Sequence, residues 1–224
     1  MCGRASLALD EGDLAAYLQS LGVRSSLRRP SRRYNIAPSQ DHVVITETAD
    51  QRDAHLMRWG LVPSWAKDST IGNHLINARA EGVVSKPSYR SAFAKRRGLV
   101  VVDGFYEWRR NASGPKTPIR ISRRDGAPFT LAGLWEVWGA GDDRLTTCTI
   151  ITTGPNEIMA PIHNRMPVVL AGDARDAWLD STAATKMLQD LLIPDRTEAL
   201  HTYEVSPLVN SPRNDNAECW APVN

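Results

Sequence analysis

The chain has 224 residues, 42% hydrophobic and 23% charged, a globular composition long enough for one sizeable core or at most two small domains. No apolar run approaches the ~20 residues of a membrane span and the first 22 residues lack the continuous apolar stretch of a secretory signal, so a cytoplasmic protein without membrane partners is expected, nucleoid-associated if bacterial. The net charge of +2 conceals an imbalance: residues 1–124 hold 21 Lys and Arg against 11 Asp and Glu, the remainder 6 against 14, and a basic half of this kind invites a polyanion.

The chain opens Met1-Cys2-Gly3-Arg4. A small residue at position 2 favours removal of Met1, and Cys2 would then carry an α-amine beside its thiol. An aldehyde condenses with such an amine to a Schiff base, and the thiol then closes a five-membered thiazolidine. An internal cysteine, its nitrogen locked in an amide, cannot follow this route. Ordinary pKa values of about 8 for the amine and about 8.5 for the thiol favour the chemistry. The competing reading is a frayed terminus without a role. Cys2, Cys148 and Cys219 are odd in number and far apart, with no Cys-x-x-Cys or His-x-x-x-His spacing, which argues against disulfides and against a metal site.

Asp10 to Leu21 is predicted as a short helix, capped by Asp10, with Leu14, Tyr17, Leu18 and Leu21 on one side and Gly22 as its stop. An arginine-dense stretch follows at Arg24, Arg28, Arg29, Arg32 and Arg33, and a second basic run stands at Lys95-Arg96-Arg97. Each reads either as a phosphate-binding surface or as a solvated face. His42 to Thr48 and His55 to Trp59 are predicted strands joined by a polar turn. The loop Trp59-Gly60-Leu61-Val62-Pro63-Ser64-Trp65 carries an indole at each end. An exposed indole stacks an unpaired base for ~1–3 kcal/mol, although a Trp pair more often packs into a core. Asn77-Ala78-Arg79-Ala80-Glu81 offers an amide able to orient an aldehyde and an Arg able to hold phosphate through two hydrogen bonds. Alone, it reads as a helix cap with a surface ion pair.

Pro87 to Arg97 is predicted as a short helix. Gly98 to Arg110, Thr117 to Arg123, Phe129 to Trp138 and Leu145 to Thr153 read as successive strands separated by Gly, Pro, Asp and Asn turns. Alternation puts Val101, Asp103, Phe105 and Glu107 on one face. Buried beside a second carboxylate, Glu107 would gain the raised pKa that suits proton transfer; on an edge strand, both acids would face solvent. Asn156 to Ile162 is predicted as a helical turn and Met166 to Leu170 as a strand, with His163 on the connection where catalytic side chains are often mounted. Helices at Asp173 to Asp180 and Ala184 to Leu192 and a strand at Leu200 to Val205 follow. Strands in runs with peripheral helices indicate an α+β fold, a single domain over 1–224 whose antiparallel or mixed sheet curls toward a barrel.

Taken in order, these segments resemble the SOS-response-associated peptidase family of abasic-site processing proteins. The resemblance rests on Met1-Cys2-Gly3-Arg4, Tyr34-Asn35-Ile36-Ala37-Pro38, the Trp59-Gly60 loop through Trp65, Asn77-Ala78-Arg79 with Glu81, Asp103-Gly104-Phe105-Tyr106-Glu107-Trp108 and His163-Asn164-Arg165-Met166-Pro167. It continues to Val205-Ser206-Pro207 and Val209-Asn210, and so spans nearly the whole chain. It implies a sensor of abasic sites in single-stranded DNA that links Cys2 covalently to the ring-opened sugar as a thiazolidine. On the resemblance, Cys2 is the nucleophile, Asn77 orients amine and sugar, Glu107 shuttles protons, and His163 opens the sugar ring and resolves the adduct. Arg4 and Arg79 would grip phosphates, while Asn35, Pro38 and Trp65 would shape the path of the strand. The family is also credited with autocatalytic removal of Met1, so peptidase and lyase-type activities are implied. No cofactor or metal is expected, because both condensation steps move only protons, and a monomer is expected. The chain departs from the family pattern at Ser64-Trp65, where two adjacent Trp residues are common.

Two other classes of function remain open at this point. Glutamine amidotransferases with an N-terminal nucleophile also begin Met-Cys-Gly and use the α-amine as base, but that reading leaves the basic half unexplained. A nucleic-acid-binding module with an incidental Cys2 is the third reading. Stacking loops and phosphate contacts carry no base code, which suits a lesion that has lost its base.

Overall fold

The computed structural model describes residues 2–24, 27, 32–49, 51–196 and 199–223, and its fold is α+β. The first half carries β1 (Ala5–Leu7), α1 (Glu11–Ser20), β2 (Arg33–Ile36), β3 (Asp41–Thr48), β4 (Gln51–Trp59), β5 (Asn77–Arg79), α2 (Arg90–Lys95), β6 (Arg97–Val102) and β7 (Gly104–Arg109). The second half carries β8 (Thr117–Arg123), β9 (Phe129–Trp138), β10 (Leu145–Thr153), β11 (Met166–Pro167), β12 (Val169–Leu170), α3 (Asp173–Leu179), α4 (Thr185–Asp190) and β13 (Leu200–Glu204).

Five of these strands close on one another. β3 pairs with β4 and β6, β6 with β9, β9 with β10, and β10 returns to β4 through a short parallel contact, Thr147 opposite Arg58. The predicted curl toward a barrel is thus complete. Runs such as Val43-Val44-Ile45 and Leu99-Val100-Val101-Val102 favour this pleated, buried setting. β6 is buried along its whole length, with Trp178 of α3 donating from its indole to the Gly98 carbonyl. A second sheet runs in the order β13-β8-β7-β1-β2, antiparallel throughout.

The helix at Asp10–Leu21 forms as read, with the Asp10 carboxylate accepting from the Asp13 N–H. The strand read over Gly98 to Arg110 is instead two strands in different sheets, broken at Asp103. The Asp103 carboxylate accepts from the Ala8 N–H, the Ser6 hydroxyl and, at 3.0 Å, the Arg120 guanidinium. These bonds turn the chain from barrel to second sheet. A Cβ at Gly104 would lie 2.7 Å from an Arg120 nitrogen, so a side chain there would displace the guanidinium from its place beside Asp103. The expectation that Asp103 shares a face with Glu107 is therefore wrong: alternation does not carry across the break. Met166 to Leu170 likewise divides, β11 pairing with β10 and β12 with β9. Residues 156–162 form hydrogen-bonded turns, as the sequence predicts, with the Ala160 N–H donating to the Asn156 carbonyl at 2.9 Å. The short β1, β2 and β5 lie outside the sequence-predicted elements, being too brief to show a period.

Candidate active site

The amino-terminal segment enters the second sheet between β2 and β7. Ala5 lies opposite both Ile36 and Phe105, and the Tyr106 N–H donates to the Arg4 carbonyl at 3.0 Å. This antiparallel register brings Cys2 and Gly3 alongside the part of β7 that carries Glu107. Cys2 is fully buried and Glu107 is 3% exposed. Burial pushes the Cys2 thiol well above its ordinary range, and the Glu107 carboxylate pushes it further in the same direction. The thiol is therefore held protonated, and its use as a nucleophile requires a base at close range.

Asn77 reaches the same place from the barrel side. β5 docks in parallel on β10, Asn77 opposite Ile150, and the Asn77 amide donates to the Cys2 carbonyl at 2.7 Å. The Tyr89 hydroxyl donates to the Asn77 carbonyl at 3.1 Å and holds the strand from behind. Asn77 is 9% exposed, and among the described residues its Oδ1 meets no hydrogen-bond donor. One amide thus fixes the Cys2 backbone with its nitrogen and keeps an acceptor for another donor. Cys2, Asn77 and Glu107 are brought together by strands from two sheets.

His163 stands on the loop before β11, at the other end of β5. Thr152 lies opposite Arg79, and Thr153 opposite Met166, so β10 links the two segments. The His163 Nδ1 accepts from the Arg165 N–H at 3.0 Å. The Arg165 guanidinium meets both Glu81 carboxylate oxygens and the Thr152 carbonyl. Arg79 is exposed beside them. The pair Glu81–Arg165 escapes sequence reading because its members belong to separate motifs, each of which reads as a surface charge.

Arg4 and Asn35 face inward. Arg4 Nη1 donates to Asn35 Oδ1 at 2.7 Å and to the Val209 carbonyl at 2.5 Å, while the Asn35 amide donates to the carbonyls of Val209, Ser211 and Asn214. Burial lowers the pKa of Arg4. Both side chains lock the carboxy-terminal segment against β1 and β2. Sequence reading gives both a place on a DNA strand; in this fold the Arg4 Nη atoms and the Asn35 amide nitrogen are engaged by oxygens of the protein itself.

The two indoles of the Trp59–Trp65 loop part company. Trp59 is core, donating to the Ile76 carbonyl at 2.8 Å, whereas Trp65 is 58% exposed. A Cβ at Gly60 (φ +127°) would lie 2.6 Å from the Gly72 carbonyl oxygen, which fixes glycine at the bend separating them. Pro38 is half-buried in a neighbouring turn whose Ser39 N–H donates to the Trp59 carbonyl at 2.8 Å.

Arg33, Arg96 and Arg97 of the basic runs are engaged within the fold, whereas Arg24, Arg32 and Lys95 are exposed. The Arg97 guanidinium donates to the carbonyls of Trp178, Phe93, Ala94 and Asp180. Arg96 pairs with Glu136, Arg33 with Asp215 and Arg32 with Asp10. Arg28 and Arg29 lie outside the described residues. Among those described, no group of three or more His, Cys, Asp or Glu is placed to hold a metal ion, and no helix is long and apolar enough to cross a membrane.

Comparison with known proteins places this geometry in context. A family model described as SOS response associated peptidase matches residues 1–212. The chain is 41% identical to the abasic site processing protein YoaM of Bacillus subtilis, over 97% of this chain and 96% of that one. It is 34% identical to the abasic site processing protein HMCES of Gallus gallus, over 100% of this chain and 78% of that one. A crystal structure of a Bacteroides thetaiotaomicron protein superposes with a TM-score of 0.86 at 26% identity, covering 99% of this chain and all of that one.

Proposed function

This chain belongs to the SOS response associated peptidase family, and from that premise we propose that it processes abasic sites in single-stranded DNA by covalent capture at Cys2. The observation that carries the reading is the convergence of the buried Cys2 thiol, the Asn77 amide and the Glu107 carboxylate at the start of the chain.

The Cys2 nitrogen is in peptide linkage to Met1, so capture follows hydrolysis of that bond, which consumes one water and frees the α-amine. The amine adds to the C1′ aldehyde of the ring-opened deoxyribose, and loss of water gives the imine. The Cys2 sulfur then bonds to the imine carbon as the thiol proton passes to the nitrogen, closing the thiazolidine. The net change from free amine to ring is release of one water, with no redox step. Glu107 takes the proton of a thiol whose ionisation burial opposes. Asn77 holds the Cys2 backbone and accepts from the amine. His163 protonates the sugar ring oxygen on opening and serves the reverse step. Arg79 holds phosphate, and Trp65 stacks a neighbouring base beside the turn at Pro38. Arg4 and Asn35 contribute from inside the fold, by fixing β1 so that Cys2 meets its partners.

Intact mass spectrometry with and without an abasic single-stranded oligonucleotide tests the reading. Loss of Met1 and a mass increase equal to the oligonucleotide less one water are expected, with no adduct for Cys2→Ala. Equal adduct yield from Cys2→Ala would remove the mechanism.

A further inference from the structure

Arg165 offers two groups to one ring nitrogen. Its N–H donates to His163 Nδ1 at 3.0 Å, and its carbonyl oxygen lies 3.3 Å from the same atom. A neutral ring that accepts this N–H at Nδ1 carries its proton on Nε2. A doubly protonated ring, or a neutral ring that keeps its proton on Nδ1, can instead direct Nδ1–H at the carbonyl. A single residue's backbone thus accommodates both protonation states without the ring having to turn.

That backbone is itself restrained. The Arg165 guanidinium meets the two Glu81 oxygens at 2.5 and 3.0 Å and the Thr152 carbonyl at 2.5 Å. A two-point fork of this kind resists rotation better than a single contact. Glu81 lies two residues after the end of β5, so the pair ties the His163 loop to the strand that carries Asn77. The Arg165 hydrogen bonds hold the Glu81 carboxyl below its ordinary range, so the pair is charged at neutral pH.

We propose that Glu81 and Arg165 are positioning residues that keep His163 in one orientation while its Nε2 gives a proton to the sugar and takes it back, the doubly protonated ring and the neutral Nδ1–H ring left behind both directing Nδ1–H at the Arg165 carbonyl. The proposal rests on the reading of His163 as proton carrier for a captured abasic sugar. The Glu81 side chain is 61% exposed, and its replacement leaves the core untouched.

The test uses the full chain and two independent readouts. Long-range 1H–15N correlation of the His163 ring, without DNA, is expected to give a single tautomer of the neutral ring in the unmodified protein and a tautomer mixture in Glu81→Gln. The rate of adduct formation in Glu81→Gln is expected to fall on the order of 10-fold, the scale of a modest misplacement, with affinity for single-stranded DNA kept or raised. Glu81→Asp recovers part of the rate, and Arg165→Gln adds little to the loss already caused by Glu81→Gln. An unchanged ring spectrum in Glu81→Gln overturns the proposal. So does faster capture, which would mean that Glu81 merely withholds Arg165 from phosphate. Should the unmodified protein form no adduct at all, the functional reading fails, while the ring spectrum still decides whether the pair positions His163.

Discussion

The Asn77 amide donates to the Cys2 carbonyl at 2.7 Å, and through that bond a strand docked on the barrel fixes the first residues of the second sheet. Asn77→Ala removes the donor and leaves a buried carbonyl unpaired. A stability loss of about 1–2 kcal/mol is expected by chemical denaturation. The rate of adduct formation, followed by mass spectrometry, should fall by roughly 10–100-fold, because the reacting groups lose their alignment. A full loss of stability with an unchanged rate would reduce Asn77 to a structural tie.

Glu107→Gln separates proton transfer from binding. Slower capture with nearly unchanged affinity for abasic single-stranded DNA is expected, whereas a pure affinity loss would assign Glu107 to structure. The same change removes the carboxylate that adds to the raised thiol pKa of Cys2. Thiol ionisation, read by ultraviolet absorbance or alkylation against pH, should then shift downward. It should remain above the ordinary thiol value, because burial is the larger cause.

Two arginines drawn from the basic half should behave oppositely. Arg79→Ala is expected to weaken single-strand binding and to reduce its salt dependence by about one counterion, with the midpoint of unfolding unchanged. Arg97→Met leaves four carbonyls without their donor. It is expected to cost about 2–4 kcal/mol of stability while DNA affinity of the folded protein stays the same. A titration of binding against salt, paired with denaturation, checks both.

Cys148 gives a pH dependence unconnected with the active site. Burial, with Asp41 adding to it, pushes its thiol above the ordinary value of about 8.5. Below that pH both folded and unfolded chains keep the proton. Above it the unfolded chain releases the proton first, so stability falls with rising pH by up to about 1.4 kcal/mol per unit for each such group. The Tyr89 phenol, pushed up to about 12 by burial, acts in the same direction. Cys148→Ala should flatten the decline between about pH 9 and 11 in thermal unfolding, at a cost of about 1 kcal/mol at neutrality. An unchanged alkaline slope would show that other groups carry it.

Local signals read well from the chain. The Asp10 cap, the alternating strands β8, β9 and β10, and the helices after Asp173 depend on neighbours a few residues apart, and they stand where the sequence puts them. The Val100–Trp108 segment shows the limit. Its alternation is continuous, yet Asp103 is claimed by Ser6, Ala8 and Arg120 and the chain changes sheets there. The burial of Arg4, Asn35 and Arg97 was equally closed to sequence reading, since a charge run carries no mark of the carbonyls it will meet.

Which residue types the proposed chemistry needs is therefore written in the sequence: an aminothiol in waiting at Cys2, with an amide, a carboxylate and an imidazole in ordered motifs. Which of them meet was decided by strand register alone. β1 against β7 and β5 against β10 are pairings between distant stretches, and their geometry follows from closing a barrel and packing a second sheet rather than from any local pattern. The same closure separates Trp59 from Trp65 and sinks arginines that a linear reading leaves on the surface, because burial is a property of the assembled core.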